Sequence, residues 1–136
     1  MAGGRLTLTL VTPERALLNK VACDEVTIPG ARGELGILPS HTPLITLLGV
    51  GIVRWTGVEG NGSIAVKEGF AEIAGDVVRV LADVAAAKDG IDPAAAAREK
   101  EAAEEARASV QGGEQLDAVN ADAAYAEARL RVASGG

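Results

Sequence analysis

The stretch SIAVKEGFAEIAGDVVRVLAD, residues 63 to 83, decides the expected fold of this 136-residue chain. Its apolar residues alternate with polar ones in short runs that glycines interrupt, which is typical of strands with one buried side. Gly75 and Asp76 lie between two such runs and suit a tight hairpin turn. The successive runs SIAVKEG, FAEIAG and DVVRVLAD therefore predict an antiparallel meander.

Three further strand patterns lie upstream of this meander. LTLTL (6–10) alternates leucine with threonine, whereas EVTIPG (25–30) and VGIVRW (50–55) are short apolar runs bordered by glycines. No helical crossover pattern separates these runs, which favours antiparallel pairing. We expect residues 1–84 to form an antiparallel β-sandwich or flattened barrel.

The composition changes after the meander, where residues 85–110 are rich in alanine and contain no leucine. Asp92 can accept hydrogen bonds from the first free N–H groups of a helix, and Pro93 suits the first helical position. The glycines of QGG (111–113) can end such a helix. The pattern predicts a helix from Pro93 to about Val110.

A second helix is predicted from about residue 116 to residue 132, because apolar residues recur there at helical spacing. We expect residues 93–136 to form an antiparallel α-helical hairpin, which a linker at 85–92 joins to the sandwich. Ala102 and Ala106 are expected to face the second helix.

The packing energy of this hairpin is expected to be small. A buried alanine methyl contributes about 0.8 kcal/mol, against about 1.5–3 kcal/mol for a buried leucine. Alanine also has the highest helix propensity, so each helix could persist without its neighbour. Two interpretations stay open: an appendage that remains docked, or a pair of helices that docks, undocks and extends.

The charge and the apolar runs exclude two classes of protein. A formal net charge of −6 argues against a nucleic-acid partner, because phosphate binding needs clustered lysines and arginines. No apolar run approaches the roughly 20 residues that a membrane-spanning helix needs. Arg129 and Arg131 are expected to stabilise the negative end of the second helix, with contact to an acidic partner as the alternative.

The segment GELGILPSHTPL (33–44) holds the only histidine of the chain. Glu34 and His41 could form the acid/base pair of a small enzyme. With one histidine and one cysteine, neither a Cys/His dyad nor a multi-histidine metal site can form, and Cys23 is expected to be a small buried side chain. The alternative is a stiff binding surface, since its two prolines fix the backbone and Leu38 and Leu44 offer apolar contact area.

The longer run PGARGELGILPSHTPLITLLGVG (29–51) closely resembles the signature of the epsilon subunit of the F-type rotary ATP synthase. The similarity extends to LTLVTPERALL (8–18), EGFAEI (68–73) and VVRVLAD (77–83), and to GIDPAAA and LRV near the end. It therefore covers nearly the whole chain in order.

This resemblance implies a non-catalytic subunit of the central-stalk rotor, which couples proton or sodium translocation to ATP synthesis. The sandwich would bind the gamma subunit and the c-ring, at the cytoplasmic face of the bacterial inner membrane. The extended hairpin would reach the alpha/beta hexamer and block ATP hydrolysis more than synthesis. The rival interpretations are a stand-alone β-sandwich interaction module and the small enzyme.

The resemblance also assigns roles to single residues. It places Glu34 towards the c-ring and His41 towards gamma, as a contact residue and not a base. Thr12 and Thr46 would lie near gamma, while Leu38 and Leu44 supply apolar contacts.

The resemblance is incomplete at one ligand motif. Some bacterial members bind ATP in the folded hairpin through an I/L-D-x-x-R-A motif. Here Ile91 and Asp92 are present, but Ala95 stands where the motif has arginine, and Arg98 lies about one turn further on. We therefore expect no cofactor and no ATP-dependent holding of the hairpin.

Overall fold

The computed structural model describes residues 5–110 and 112–135, and in that part eight strands precede two helices. The strands are β1 (Leu6–Val11), β2 (Ala16–Cys23), β3 (Glu25–Gly30), β4 (Gly33–Ile37), β5 (Leu44–Leu47), β6 (Val50–Thr56), β7 (Gly62–Ala74) and β8 (Val77–Ala87). The helices are α1 (Pro93–Arg107) and α2 (Gly113–Ala133), and a 3-10 turn at Lys88–Gly90 precedes α1. The predicted order, a β-sandwich followed by a helical hairpin, is confirmed.

The strands form one folded sheet in the order β2-β1-β8-β7-β6-β3-β4, with β5 also paired to β7. The expected antiparallel pairing holds for every pair but one, because β1 and β8 run parallel. Alternation places Leu6, Leu8 and Leu10 of β1 inside, all fully buried. They join a large aliphatic core with β3, β7 and β8, which also contains Cys23. The prediction that Cys23 is buried is confirmed.

The meander consists of two long strands. Gly75 and Asp76 form the predicted turn between β7 and β8, both with positive φ, as a type I′ turn requires. The two expected strands SIAVKEG and FAEIAG are, however, one strand, β7, with a corner at Glu68 and Gly69, whose φ values are 61° and 115°. A Cβ atom at Gly69 would lie 2.0 Å from the carbonyl oxygen of Leu81, so only glycine fits.

This corner shifts the side-chain alternation of β7 by one residue. Ile64 and Val66 face the main core before the corner, whereas Ala71 and Ile73 face it afterwards. The first half of β7 pairs with β6, and the second half pairs with β5. The sheet thus bends at the corner while both halves keep a buried side.

Several expected boundaries were wrong. Segment 33–44 is a loop only at residues 38–43, because its ends belong to β4 and β5. The expected linker 85–92 is part strand, since β8 continues to Ala87 and pairs there with Ile64. Helix α1 ends at Arg107, before Val110, and α2 begins three residues earlier than expected, at Gly113. Gln111 of the predicted stop, residues 1–4 and Gly136 lie outside the described residues.

The start of α1 follows the sequence prediction. The Asp92 carboxylate accepts hydrogen bonds from the N–H groups of Ala94 and Ala95, at 3.0 and 3.4 Å. Pro93 occupies the first turn, where its missing donor costs no hydrogen bond. A local signal was sufficient here because both residues act within one turn of the helix.

Candidate partner-binding surface and helical hairpin

Helix α2 covers the outward side of the first half of β7. Ile52 on β6 and Ala65 on β7 lie opposite each other in register and pack against Ala128 and Val132 of α2. All four side chains are buried in this small cluster, which is separate from the main core. The hairpin is therefore docked on the sheet through a short apolar footprint.

An ion pair lies beside this footprint. The Lys67 Nζ atom on β7 lies 2.8 Å from a carboxylate oxygen of Asp122 on α2. The Asp122 side chain is 61% exposed, so solvent screens the attraction and the pair contributes little. Apolar contact supplies most of the docking energy.

The outward side of the second half of β7 is uncovered. Leu47 on β5 lies directly opposite Phe70, so the two side chains share a face, and Ile45 follows on the same side of β5. Ile45 is 70% exposed, Leu47 69% and Phe70 43%. We call these three residues the outer patch. Adjacent large apolar side chains on a rigid sheet are typical of a protein-binding surface.

The loop at residues 38–43 lies next to β5 and is held in one conformation. The Ser40 N–H donates a 2.6 Å hydrogen bond to the Asp76 carboxylate in the β7–β8 turn. The His41 N–H donates to the Leu38 carbonyl at 3.1 Å. Leu38 stays 57% exposed and Leu44 36% exposed. The two leucines are thus presented by a fixed backbone, as the two prolines predict.

Glu34 and His41 have separate partners. The Glu34 carboxylate lies 3.3 Å from an Arg54 guanidinium nitrogen on β6. The Nδ1 atom of His41 lies 2.6 Å from the carbonyl oxygen of Thr42, so a proton on Nδ1 donates to that oxygen. The carboxylate and the imidazole thus each have a different partner, whereas an acid/base pair would require them to contact each other.

The two candidate threonines make local hydrogen bonds. The Thr12 hydroxyl accepts from the N–H groups of Glu14 and Arg15 at 3.3 Å, which stabilises the turn between β1 and β2. Thr46 lies half-buried on β5, where its hydroxyl donates to the Leu47 carbonyl at 3.3 Å. Their expected contacts with a partner stay predictions.

The prediction of which α1 residues are buried against α2 was wrong. The buried face of α1 is displaced from the predicted face by part of a helical turn. Ala96 and Ala103 are the buried residues of α1, whereas Ala102 and Ala106 are exposed. Ala102 and Ala106 line the edge of a groove between the helices, together with Val119 of α2. The assignment failed because alanines cover most of α1, so the apolar pattern does not define a single helical phase.

Arg129 does not act at the end of α2 as expected. Its guanidinium pairs with Glu99 of α1 and lies over the Tyr125 ring, with its carbon 4.8 Å from the ring centroid. Arg131 does lie in the last turn of α2, where a positive charge complements the helix dipole.

A second ion pair joins the helices at Lys100 and Glu127, whose charged atoms lie 2.6 Å apart. The hydrogen bond and charge of Lys100 lower the pKa of Glu127, and the hydrogen bond and charge of Glu127 raise the pKa of Lys100. The sequence does not indicate either interhelical pair, because charged residues at many positions of α1 could reach α2. Knowing which face of α1 meets α2 would have identified the two pairs.

Residues 5–110 and 112–135 contain neither a candidate metal site nor a candidate membrane-spanning helix. No group of three or more histidine, cysteine, aspartate or glutamate side chains is placed to hold a metal ion. No helix in this part of the chain has both the length and the hydropathy of a membrane span.

Comparison with known proteins identifies the sandwich. The sequence model of the ATP synthase delta/epsilon chain β-sandwich domain matches residues 5–88. This chain belongs to the ATP synthase epsilon-chain family. An epsilon chain of Carboxydothermus hydrogenoformans is 47% identical over 102 residues, 74% of this chain and 75% of that relative. An epsilon chain of Desulfitobacterium hafniense is 36% identical over 129 residues, 95% of each chain.

Solved structures share the fold. A chain of the Euglena gracilis mitochondrial ATP synthase, in a structure of OSCP, F1 and c-ring, has a TM-score of 0.78 at 23% identity, over 96% of this chain and 81% of its own. A chain of the Tetrahymena thermophila mitochondrial ATP synthase, in a structure of central stalk and c-ring, has a TM-score of 0.56 at 15% identity, over 99% and 98%.

Family membership excludes one interpretation of segment 33–44. An epsilon chain is a structural, non-catalytic subunit of the membrane-bound ATP synthase, so the small-enzyme hypothesis for Glu34 and His41 was wrong. The resemblance of the central motif to this family is confirmed.

Proposed function

We propose that this chain is the epsilon subunit of the central-stalk rotor and that its sandwich binds the gamma subunit and the c-ring. The observation that carries the proposal is the uncovered apolar surface on β5 and β7 in a chain of this family. Burying a large apolar side chain contributes about 1.5–3 kcal/mol. The outer patch with Leu38 and Leu44 can therefore anchor a stable subunit contact.

The residue roles that the family resemblance implies are part of this proposal. Glu34 lies beside the β3–β4 turn and contacts the c-ring, while His41 in the fixed loop contacts gamma. Thr12 and Thr46 lie near gamma. The exposure of Glu34 supports such a role, because its carboxylate stays accessible at the surface beside Arg54.

The hairpin is proposed to regulate ATP hydrolysis. In the docked state α2 covers Ile52 and Ala65, and in an extended state the helices reach the alpha/beta hexamer and block hydrolysis more than synthesis. The short footprint of α2 supports this, since only a few small side chains have to be separated. The subunit acts on the cytoplasmic face of a bacterial inner membrane, in an enzyme driven by protons or sodium ions.

We propose that ATP does not hold the hairpin in its docked state. The Asp92 carboxylate already caps α1, Ala95 offers no charge, and the Arg98 side chain is exposed. Calorimetry on the isolated chain should therefore give no saturable heat with millimolar ATP. Saturable binding would contradict the proposal, and its loss in Arg98→Ala would identify the missing cation.

A first experiment tests the contact surface. Leu47→Asp and Leu44→Asp each place an unpaired charge in the proposed interface, which costs on the order of a few kcal/mol. We expect purified gamma to bind these variants at least about tenfold more weakly, while the catalytic core without epsilon keeps its hydrolysis rate. Val58→Asp is the matched control, because Val58 is 71% exposed on the separate β6–β7 loop.

Equal binding of Leu47→Asp, Val58→Asp and the unchanged chain would overturn the proposed surface. A chain that folds but binds neither gamma nor c-ring would instead favour the stand-alone interaction module.

A second experiment tests regulation by the hairpin. Deleting the chain after Gly90 keeps all of β8, whereas a cut after Val84 removes three residues that pair with β7. We expect the chain that ends at Gly90 to fold, to bind gamma, and to raise ATP hydrolysis of the assembled enzyme. Unchanged hydrolysis in the assembled, truncated enzyme would contradict the regulatory role.

A further inference from the structure

Tyr125 takes part in both interfaces of α2. Its ring packs against the cluster of Ile52, Ala65, Ala128 and Val132 on the sheet side. The same residue lines the groove between α1 and α2. The position of this ring therefore depends on whether α2 is docked on the sheet.

Arg129 lies one turn further along α2 and depends on that ring. Its guanidinium lies over the Tyr125 ring and pairs with Glu99 of α1, and its side chain is only 19% exposed. Its Nε atom is buried and has no hydrogen-bond partner among the described residues. A cation removed from water in this way is stabilised by the ring and the carboxylate, so it is sensitive to losing either.

The other interhelical ion pair has neither property. Lys100 and Glu127 are 36% and 46% exposed, and among the described residues only Arg129 has its charge over an aromatic ring. Exposed pairs of this kind are screened by solvent. The pair that is connected through Tyr125 to the docking cluster is Glu99–Arg129, although Glu127 also lines the cleft beside Ile52.

We propose that Tyr125, Arg129 and Glu99 form a coupling unit, through which docking of α2 on the sheet strengthens the attachment of α1 to α2. When α2 leaves the sheet, Tyr125 loses the sheet residues of this cluster, Ile52 and Ala65, and fixes the guanidinium less firmly. Arg129 then becomes hydrated and its attraction to Glu99 weakens. Undocking of the hairpin and separation of its helices are thus linked events. The regulatory meaning of this link rests on the proposed function.

The experiment observes the Arg129 Nε–H group in the full-length, 15N-labelled chain by NMR. In the unchanged chain this proton should exchange slowly with water and show a ring-current shift from Tyr125. Tyr125→Leu keeps an apolar side chain on the sheet but removes the ring. We expect it to accelerate exchange of the Nε–H and of the α1 amides about threefold to tenfold, in keeping with the strength of a partly desolvated cation–π contact. Tyr125→Phe keeps the ring and should behave like the unchanged chain.

A perturbation at the sheet tests whether the effect is transmitted. Lys67→Ala removes the ion pair with Asp122 and touches none of the three residues. We expect Nε–H exchange and α1 amide exchange to rise together by about twofold to fivefold, the range of an exposed ion pair. In the Tyr125→Leu background the same substitution should no longer affect α1. Glu72→Gln, which removes the pair with Arg79 on the uncovered half of the sheet, is the control.

Equal effects of Lys67→Ala on α1 with and without the Tyr125 ring would overturn the coupling, as would an unchanged Nε–H in Tyr125→Leu. These outcomes are independent of the proposed function, because they are measured without other subunits. Conversely, if truncation after Gly90 leaves hydrolysis unchanged while the NMR effects appear, the regulatory role fails and the coupling stands.

Discussion

The interiors of the sandwich and of the hairpin are built from side chains of very different size. Leucine, isoleucine and valine fill the sandwich, where Leu8, Ile64 and Val80 are almost completely buried. Alanines fill the contact between the helices, among them Ala103 and Ala126. Each large side chain contributes about 1.5–3 kcal/mol and each alanine methyl about 0.8 kcal/mol. The sandwich is thus stabilised mainly by the burial of large side chains, whereas the hairpin depends more on helix propensity.

The most destabilising substitution that we predict lies in the core of the sandwich. Leu8→Ala leaves a cavity in the main core and should lower the free energy of unfolding by about 2–5 kcal/mol. Ala126→Gly in α2 should cost only about 1–2 kcal/mol, from lost helix propensity and one methyl group. Urea unfolding of the two full-length variants measures both values. A larger loss for Ala126→Gly would mean that the hairpin carries the stability.

Three substitutions in α1 distinguish its buried face from its exposed face. Ala103→Glu places a charge in the buried helix contact and should cost on the order of a few kcal/mol. Ala102→Glu and Ala106→Glu, at exposed positions, should stay within about 0.5 kcal/mol. Amide hydrogen exchange of α1 in the three variants measures which substitution destabilises the helix most. If Ala102→Glu were as disruptive as Ala103→Glu, the helical phase described above would be incorrect.

The weakest predicted effect concerns the exposed ion pair of the hairpin, Lys100–Glu127. Because the pKa of Glu127 is lowered in the folded chain, its contribution is present above the ordinary pKa of 4.5 and is lost as the pH falls through the lowered value. Lys100→Gln should return the pKa of Glu127 towards 4.5, as an NMR titration of its carboxyl group would show. Lys88→Gln, in the turn before α1, should leave this pKa unchanged.

Sequence alone was sufficient where one turn or one strand carries the signal. The β1 alternation, the Gly75-Asp76 turn and the Asp92 cap are all local patterns, and the structure contains each of them. The parallel pairing of β1 with β8 could not be predicted, because it joins Thr7 to Val77 and no local pattern encodes such a contact. The family motif, by contrast, predicted the fold as a whole.

The candidate site was predicted only in part, for a physical reason. Leu38 and Leu44 could be chosen as contact candidates from the sequence, because two prolines and an apolar run mark their loop. Both side chains are exposed in the structure. The role of Arg129 depends on Glu99, which lies 30 residues away on another helix, and the docking of α2 depends on Ala65. Alanine-rich helices give little periodic contrast, so the sequence does not indicate which of their faces meet.

The parallel pairing of β1 with β8 has a consequence for folding during synthesis. β1 can form its hairpin with β2 early, but its other edge stays unpaired until residues 77–81 have left the ribosome. During this interval an apolar strand edge is exposed, and closure of the sheet is a late, slow event. Helices α1 and α2 emerge after β8, so the surface that receives them is completed shortly before they arrive. We expect chaperones that act during translation to contact the unpaired edge of β1.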